Sequence, residues 1–222
     1  MKNNPDIIWL DKAESSNDEA RKAIDALDNL SVVAVRCQTK GRGQRTNTWL
    51  TNPGENLTFS VVLKDFDISA SEVIAISQIT ALSVVDFLKT HGITAKIKLP
   101  NDIYVGGRKI CGILIENSIC SGKLGWSIIG IGININQTVF PSHLPNPTSL
   151  LLEKAMGQNP VQSTSQVQHL ELNKLLTQFH EIYSRYYDCY ISHNTDLDST
   201  ALGNTHESKL EALDQLFRSK LL

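Results

Sequence analysis

The sequence predicts an α+β fold built on a mixed, mainly antiparallel sheet. Between residues 95 and 136, short segments rich in β-branched residues are separated by glycine-containing turns, which is the pattern of strands joined by hairpins. Apolar residues at helical spacing fall in separate blocks, one starting at Ser71 and another at Leu170. Hairpin-linked strands with helices in blocks of their own are typical of this class.

The first elements follow from local signals. Ser16-Asn-Asp-Glu19 fits a capping box, which predicts a short helix through about Leu27. Ser31 to Gln38 and Leu57 to Leu63 are rich in β-branched and apolar residues and predict strands. Thr39 to Asn56, between them, contains three glycines, one proline and three basic residues. This stretch is too long for a tight turn, so we expect a functional loop or a mobile one.

Later elements follow from apolar periodicity. Apolar residues at spacings of three predict a helix from Ser71 that Gly92 would end. An amphipathic helix is predicted from Leu170 to Tyr190, and a final helix would end the chain at Leu222. Short strands are expected between these helices at Ala95–Lys98, Ile103–Val105, Lys109–Asn117 and Leu124–Asn136.

Bulk properties exclude several classes of protein. A formal net charge of −2 argues against broad binding to nucleic acid or to anionic membranes, which needs clustered Lys and Arg. The N-terminus does not resemble a signal peptide, and no stretch approaches the roughly 18 apolar residues needed to cross a bilayer. Cys37, Cys111, Cys120 and Cys189 are widely spaced without a CxxC pair, so we expect free thiols and no zinc. We therefore expect a cytoplasmic protein.

The first cluster that suggests chemistry is Gly41-Arg42-Gly43-Gln44-Arg45. Glycines let a backbone approach a ligand closely, and successive N–H groups form anion-binding nests. Two guanidinium groups beside such a nest suit a phosphate or a carboxylate. A solvated surface turn explains these five residues equally well. Trp49 closes the loop and would either provide a flat wall for a ring system or serve ordinary packing.

The second cluster, Lys98-Leu-Pro-Asn101-Asp102, lies between two predicted strands. Pro100 prevents the strand from continuing, so Asn101 and Asp102 should project from a strand end. Their oxygens suit Mg²⁺, and Lys98 would attract a triphosphate. The alternative is that Pro-Asn-Asp is simply favourable turn chemistry.

Two glycine-interrupted strands complete the set. Lys109 opens an otherwise apolar strand in which Gly112 marks a close approach to the backbone, before Glu116. The segment Gly130-Ile-Gly132-Ile-Asn134-Ile-Asn136 alternates, which places its glycines and asparagines on one face. Asparagine amides there would contact both donors and acceptors of a heterocycle.

The order and spacing of these clusters resemble one family, the biotin–protein ligases. GRGQR…W, KLPND, RKICGILIE and GIGININ resemble the family patterns GRGxxxxxW, KWPND, K-[IL]-x-GIL-x-E and GIGIN. Ser15-Ser16-Asn17 resembles the upstream ST-N segment, and Gln38 precedes the glycine cluster at the family's distance. The resemblance implies a fold like that of class II aminoacyl-tRNA synthetases and biotinyl/lipoyl ligases. It also implies a catalytic domain at residues 1–190 and a helical C-terminal tail at residues 191–222.

The activity that the resemblance implies is ATP-dependent activation of biotin to biotinyl-5'-AMP, followed by transfer to a lysine of a biotin carboxyl carrier protein or domain. Biotin-binding roles would fall on Ser15, Ser16, Asn17, Gln38, Gly41, Arg42, Gly43, Gln44, Lys109 and Gly112. Nucleotide-binding roles would fall on Trp49, Lys98, Asn101 and Asn134, and Mg²⁺ would be held by Asn101 and Asp102. The implied partners include neither DNA nor a membrane, and a homodimer is left open.

The chemistry explains why cations are needed at such a site. A carboxylate that attacks the α-phosphate of ATP brings two anions together, and charge grows on the departing pyrophosphate. Arg42, Lys98 and Lys109 are expected to neutralise that charge. Asp102 is expected to orient or deprotonate the acceptor lysine, whose reference pKa is about 10.4. These four residues are the predicted catalytic set.

Three departures from the family pattern qualify the resemblance. No winged helix-turn-helix precedes Ser15, Leu99 replaces the usual Trp of KWPND, and the chain stops on a helix where many members continue into an SH3-like β-domain. Two other functions therefore remain as alternatives. One is a lipoate ligase or octanoyltransferase of the related fold, and the other is a catalytically weak biotin-binding or regulatory protein.

Overall fold

The computed structural model describes residues 6–64, 72–157, 168–192 and 205–222. Within these ranges the chain forms seven strands and five helices. They are β1 (Ile7–Ala13), α1 (Ser16–Lys22), β2 (Val32–Gln38), β3 (Leu57–Lys64), α2 (Val73–Thr90), β4 (Lys96–Lys98), β5 (Asp102–Val105), β6 (Arg108–Cys120), β7 (Lys123–Ile133), α3 (Leu150–Met156), α4 (Leu172–Tyr190) and α5 (His206–Arg218).

All seven strands join one sheet, in the order β1-β2-β3-β7-β6-β5-β4. Only β1 and β2 run parallel, and every other neighbouring pair is antiparallel. The predicted class, α+β with a mixed and mainly antiparallel sheet, is confirmed. Two described elements were not predicted, the parallel edge strand β1 and the short helix α3.

The central strands bury their two faces against different layers, as side chains that alternate along a strand require. Phe59 and Val61 of β3 belong to the main core, which α2 and α4 complete. Val62 points the other way and joins a smaller cluster with Ala20 of α1. The sheet therefore lies between α1 on one side and α2 with α4 on the other.

Helix α2 is the central helix of the main core. By length and composition it is the one described helix that could cross a bilayer, but 67% of it is buried within the protein. It packs against α4 and α5, and it also contacts β4, β5 and β6. Such burial is what a core helix of a globular fold requires, because its apolar residues already have protein partners.

The start of α1 differs from the prediction. Ser15, not Ser16, is the N-cap residue, and its side chain makes no capping hydrogen bond. The backbone N–H of Ser16 instead donates to Oε1 of Gln38 at 2.9 Å. The helix also ends at Lys22 rather than Leu27, because the chain tightens into turns afterwards. The capping box was thus a wrong interpretation of a segment whose first two residues, Ser16 and Asn17, line a cavity.

The end of the chain also differs from the prediction. Helix α5 ends at Arg218, and the last residues return to the sheet edge. The N–H of Ile97 in β4 donates to the carbonyl of Lys220 at 2.8 Å, and the N–H of Leu222 donates to Ile97 at 2.9 Å. Leu213 of α5 is fully buried in the main core. The proposed division at residue 190 stays a prediction, and residues 193–204 lie outside the described ranges.

The aromatic centre of the main core should carry much of the stability. The ring of Phe179 meets Phe59 at a centroid distance of 5.1 Å and Phe87 at 5.9 Å, both edge to face. We predict that Phe179→Ala lowers the free energy of unfolding by about 3–5 kcal/mol. Urea unfolding followed by circular dichroism measures this. Phe217→Ala, at a half-buried position, should cost less, and equal losses would contradict the assignment of the core.

Candidate active site

One face of the sheet is nearly free of large side chains around the centres of β3, β6 and β7. Most residues that point there are small or polar, because the large apolar side chains at alternate positions point into the main core. Those that line a cavity include Thr58, Gly112, Gly130 and Gly132, with Ser60 buried beside them and the larger Leu114 opposite Gly130. Gly112 and Gly132 are direct partners across the β6–β7 pair. This bare strip is the floor of the site.

The indole of Trp49 lies on that floor. A Cβ atom built on Gly112 would come within 2.9 Å of the ring, and one on Gly132 would overlap it more severely. The glycine pair is therefore required because the ring occupies the space of any side chain there. We expected a ligand to make the close approach at Gly112, and in this structure a tryptophan of the same chain makes it.

The segment that carries Trp49, residues 41–49, is here called the glycine loop. It folds back on itself: the N–H of Trp49 donates to the carbonyl of Gly41 at 2.9 Å, and the N–H of Gly43 donates to Asn47 at 2.8 Å. Gly41 allows this closure because any Cβ would collide with the carbonyl of Trp49. The loop is thus a compact flap held against the sheet by its indole.

A first cavity of about 260 Å³ lies between this loop, α1 and the sheet. Its inner end is polar and buried. Ser16 and Asn17 are 5% and 2% exposed, and the Ser60 hydroxyl lies 2.8 Å from the Ser16 hydroxyl and 2.6 Å from Oδ1 of Asn17. The Gln38 side chain lies next to these groups, and its amide oxygen accepts a hydrogen bond from the Ser16 backbone N–H. The end of the cavity thus offers several hydrogen-bonding groups in fixed positions.

Asn17 is already held by protein groups. Its Nδ2 donates to Oε2 of Glu116 at 2.8 Å and to the carbonyl of Leu114 at 3.3 Å. Its Oδ1 accepts from Ser60, so only one lone pair of that oxygen is left for a ligand. Asn17 therefore serves chiefly to shape the cavity wall.

The guanidinium of Arg42 is likewise engaged. It donates to both carboxylate oxygens of Glu116, at 3.1 and 3.0 Å, and to Asp18 at 2.8 Å. Burial alone would raise the pKa of Glu116, but hydrogen bonds from Asn17, Arg42 and Arg21 outweigh it and hold the pKa below its usual range. The Glu116 carboxylate is therefore ionised at neutral pH.

A second cavity, of about 610 Å³, lies on the other side of the loop. Trp49, Lys98 and Asn134 line it, together with the segment from Phe140 to Pro147. Two buried polar atoms there have no protein partner, Nε1 of Trp49 and Oδ1 of Asn134. Unpaired buried polar groups are costly, so a bound molecule that reached these two atoms would gain one donor and one acceptor.

The two cavities meet at an ion pair. Nζ of Lys109 lies 2.6 Å from Oδ1 of Asp102 and 5.7 Å from the centre of the Trp49 ring. All three residues line both cavities. A molecule in each cavity would therefore have its facing end beside the same ammonium group.

The donor set for a metal ion is small. Among the described residues no group of three His, Cys, Asp or Glu side chains is close enough to hold one. Asp102 supplies one carboxylate, which Lys109 already contacts, and Asn101 donates through Nδ2 to the carbonyl of Ile113 at 2.8 Å. This fits a Mg²⁺ ion held mainly by phosphates, with one carboxylate from the protein.

The residues predicted for the site come together. All of them line one cavity or both except Gly41, which closes the loop.

Sequence reasoning missed Ser60, because this serine belongs to no recognisable motif. It also missed Glu153 of α3, which is 7% exposed, binds Arg108 at 2.9 Å and accepts from Thr148. The Thr148 carbonyl in turn accepts from Asn134 at 2.9 Å, so this buried carboxylate braces the wall of the second cavity.

The fold and the site define an α+β domain with two adjoining cavities at one sheet. The model of the Biotin/lipoate A/B protein ligase family matches residues 10–134. A bifunctional ligase/repressor BirA of Bacillus spizizenii is 29% identical over 97% of this chain and 66% of its own length. A biotin–[acetyl-CoA-carboxylase] ligase of Paracoccus denitrificans is 33% identical over 57% of this chain and 53% of its own length.

A solved structure of the biotin protein ligase from Aquifex aeolicus, in complex with biotin and ATP, superposes with a TM-score of 0.70. It is 22% identical, and the match covers 98% of this chain and 78% of that one. The chain belongs to the Biotin/lipoate A/B protein ligase family. It spans just under two thirds of the Bacillus relative and about half of the Paracoccus relative.

The seat of Trp49 gives a test with a matched control. Gly132→Ala should either displace the indole or destabilise the protein by about 1–3 kcal/mol, because the new methyl group overlaps the ring. Gly125→Ala, on the same strand, meets no atom closer than 3.6 Å and should do neither.

The measurement is acrylamide quenching of fluorescence, with Trp9 and Trp126 replaced by Phe so that Trp49 alone reports. Urea unfolding of the same proteins measures stability. We expect stronger quenching or lower stability in Gly132→Ala only. Identical quenching and stability for the two alanine variants would show that the ring does not rest on Gly132.

Proposed function

We propose that this chain is a biotin–protein ligase that activates biotin with ATP and transfers the biotinyl group to a lysine of a carrier protein. One observation carries the proposal. The two cavities share Trp49, Asp102 and Lys109, so a carboxylate from one side and an α-phosphate from the other would meet at one ammonium group. The relatives named biotin ligases support the choice of substrate.

Biotin would occupy the first cavity with its ureido ring at the polar inner end. That ring carries a carbonyl oxygen and two N–H groups. Gln38 already accepts from Ser16 through Oε1, which leaves its amide nitrogen to donate to the carbonyl. The Ser16 hydroxyl and the remaining lone pair on Asn17 would accept from the ring N–H groups. The carboxylate end would then point out towards Lys109.

ATP would occupy the second cavity with its base near Trp49 and Asn134. The unpaired Oδ1 of Asn134 would accept from the amino group of adenine, and the indole would cover the nucleotide. Lys98, whose Nζ lies 3.2 Å from the Tyr104 hydroxyl, would face the phosphates from the rim. Asp102 and the side-chain Oδ1 of Asn101 would hold Mg²⁺, which would neutralise part of the phosphate charge.

The first reaction would take place beside Lys109. A carboxylate oxygen of biotin forms a bond to the α-phosphorus, the bond from that phosphorus to the bridging oxygen breaks, and pyrophosphate leaves. Lys109 would stabilise the negative charge that grows on the phosphoryl oxygens. Arg42 would have to exchange Glu116 or Asp18 for a ligand before it could take the neutralising role predicted for it. The glycine loop would keep water from the mixed anhydride.

The second reaction would transfer the biotinyl group from AMP to the amine of a carrier lysine. Asp102 would accept the proton of that amine or orient it, once Lys109 has turned to the phosphate. Within the described residues, β6 beyond Ile113 has a strand neighbour on one side only, so its open edge near the site is available to an extended partner segment. The carrier domain is our proposed partner there, and a second copy of the chain would compete for the same edge.

A cytoplasmic location is part of the proposal. ATP is abundant there, and all four cysteines are free thiols.

The assay that tests this function follows both half-reactions. Purified protein with biotin and α-labelled ATP should form biotinyl-AMP and pyrophosphate, and an added carrier domain should become biotinylated. Excess lipoate should not compete. Lipoyl-AMP in place of biotinyl-AMP would favour a lipoate ligase. Biotin binding without any adenylate would indicate a regulatory protein, and either result would overturn the proposal.

Removal of the shared ammonium group should affect the chemical step. We predict that Lys109→Gln slows formation of biotinyl-AMP by about 10²–10³-fold, the typical effect of losing one group that stabilises transition-state charge. Lys12→Gln, an exposed lysine on β1 outside both cavities, is the control and should retain the full rate. Rates are measured in single turnover, so that product release does not mask the effect. Equal rates in the two variants would exclude Lys109 from the chemistry.

A further inference from the structure

We propose that Glu116 and Asp18 form an electrostatic clasp that holds the glycine loop over the first cavity through Arg42. They would then be positioning residues, which act on the ligand through the loop and through Asn17. The clasp itself follows from contacts within the protein. Its effect on biotin rests on the proposed function.

The clasp joins three segments that are distant in sequence. Glu116 on β6 contacts Arg42 of the loop at 3.0 Å and Arg21 of α1 at 2.6 Å. Asp18 of α1 reaches Arg42 at 2.8 Å from the other side. Arg42 thus lies between two carboxylates that belong to α1 and β6.

Few other contacts tie this part of the loop to the body. The backbone hydrogen bonds of Gly43 and Trp49 close the loop on itself and do not reach the sheet. Among the described residues from Gly41 to Thr48, only Arg42 has a side chain that hydrogen-bonds to a group outside the loop. Its ion pairs and the seat of Trp49 are therefore the two attachments of the flap.

The clasp is better placed than an ordinary surface ion pair. Exposed single pairs contribute little, because water screens them and long side chains lose entropy. Glu116 is 22% exposed and receives two hydrogen bonds from one guanidinium, the bidentate geometry of the stronger pairs. By contrast, the Lys40–Glu14 pair at the start of the loop is 70% and 60% exposed. We expect that pair to contribute much less to loop closure.

Glu116 also fixes a wall of the cavity. Its carboxylate accepts from Nδ2 of Asn17 at 2.8 Å, which orients the amide so that Oδ1 faces Ser60. One charge therefore holds both the flap and the amide beneath it. Neutralising this charge should loosen the loop and weaken binding in the first cavity, while the second cavity, which Glu116 does not line, keeps its affinity.

Limited trypsin digestion without any ligand tests the clasp directly. Lys40, Arg42 and Arg45 provide cleavage sites in or beside the loop, and mass spectrometry identifies each cut. We expect Glu116→Gln to raise the rate of cleavage after Arg42 and Arg45 about tenfold. A tenfold shift in the equilibrium for loop opening corresponds to about 1.4 kcal/mol. Glu14→Gln removes an equal charge beside the loop and should leave these two rates unchanged.

Global unfolding is separated from loop opening by thermal unfolding curves of each variant. If Glu116→Gln no longer folds, Asp18→Asn decides, because it loosens Arg42 from the surface of α1 without touching Asn17. A folded Glu116→Gln with wild-type cleavage rates overturns the proposal, as does a wild-type rate in Asp18→Asn when the first variant is unfolded. The double variant should show less than the product of the single effects, since both act on one guanidinium.

Titration calorimetry gives the ligand arm of the experiment. Glu116→Gln should weaken biotin binding about tenfold and leave the affinity for a non-hydrolysable ATP analogue within about twofold. An equal loss for both ligands would show a structural effect and overturn the positioning role. If the wild-type protein binds no biotin, the proposed function fails, and the trypsin result still decides whether the clasp exists.

Discussion

The site depends on a contact between an indole ring and bare backbone. Trp49 rests on Gly112 and Gly132, and a side chain at either position would lift it. The backbone N–H of the same residue closes the glycine loop on the Gly41 carbonyl, and its ring lines both cavities. One packing contact thereby sets the shape of both cavities and the height of the flap above the sheet.

This arrangement follows from the two faces of one sheet. The face towards α2 and α4 carries the large apolar residues that stabilise the fold, so the opposite face of the same strands is free to carry glycine, serine and threonine. Glycine within a strand costs stability, which the main core supplies from its own side. Charges are then placed at the rim: Lys109 with Asp102 at the junction, and Arg42 between Glu116 and Asp18.

Sequence patterns revealed the class of fold and a set of residues that, apart from Gly41, all line the cavities, because glycine interruptions and strand alternation depend on local order along the chain. Partners in space were not visible in the same way. Gly112 indicated that some group approaches the backbone closely, but that group, Trp49, lies over sixty residues away along the chain. Arg42 signalled an anion, and the anions found are Glu116 and Asp18. Ser60 was missed because a serine within a strand has no distinctive spacing.

We propose that two ligands meet end to end beside Trp49 and Lys109. A crystal structure with biotin and a non-hydrolysable ATP analogue tests this most directly. We predict biotin density in the cavity lined by Ser16 and Gln38, nucleotide density in the cavity lined by Asn134, and both reacting ends at Nζ of Lys109. A nucleotide bound elsewhere, or a biotin carboxylate that points away from Lys109, would contradict the account.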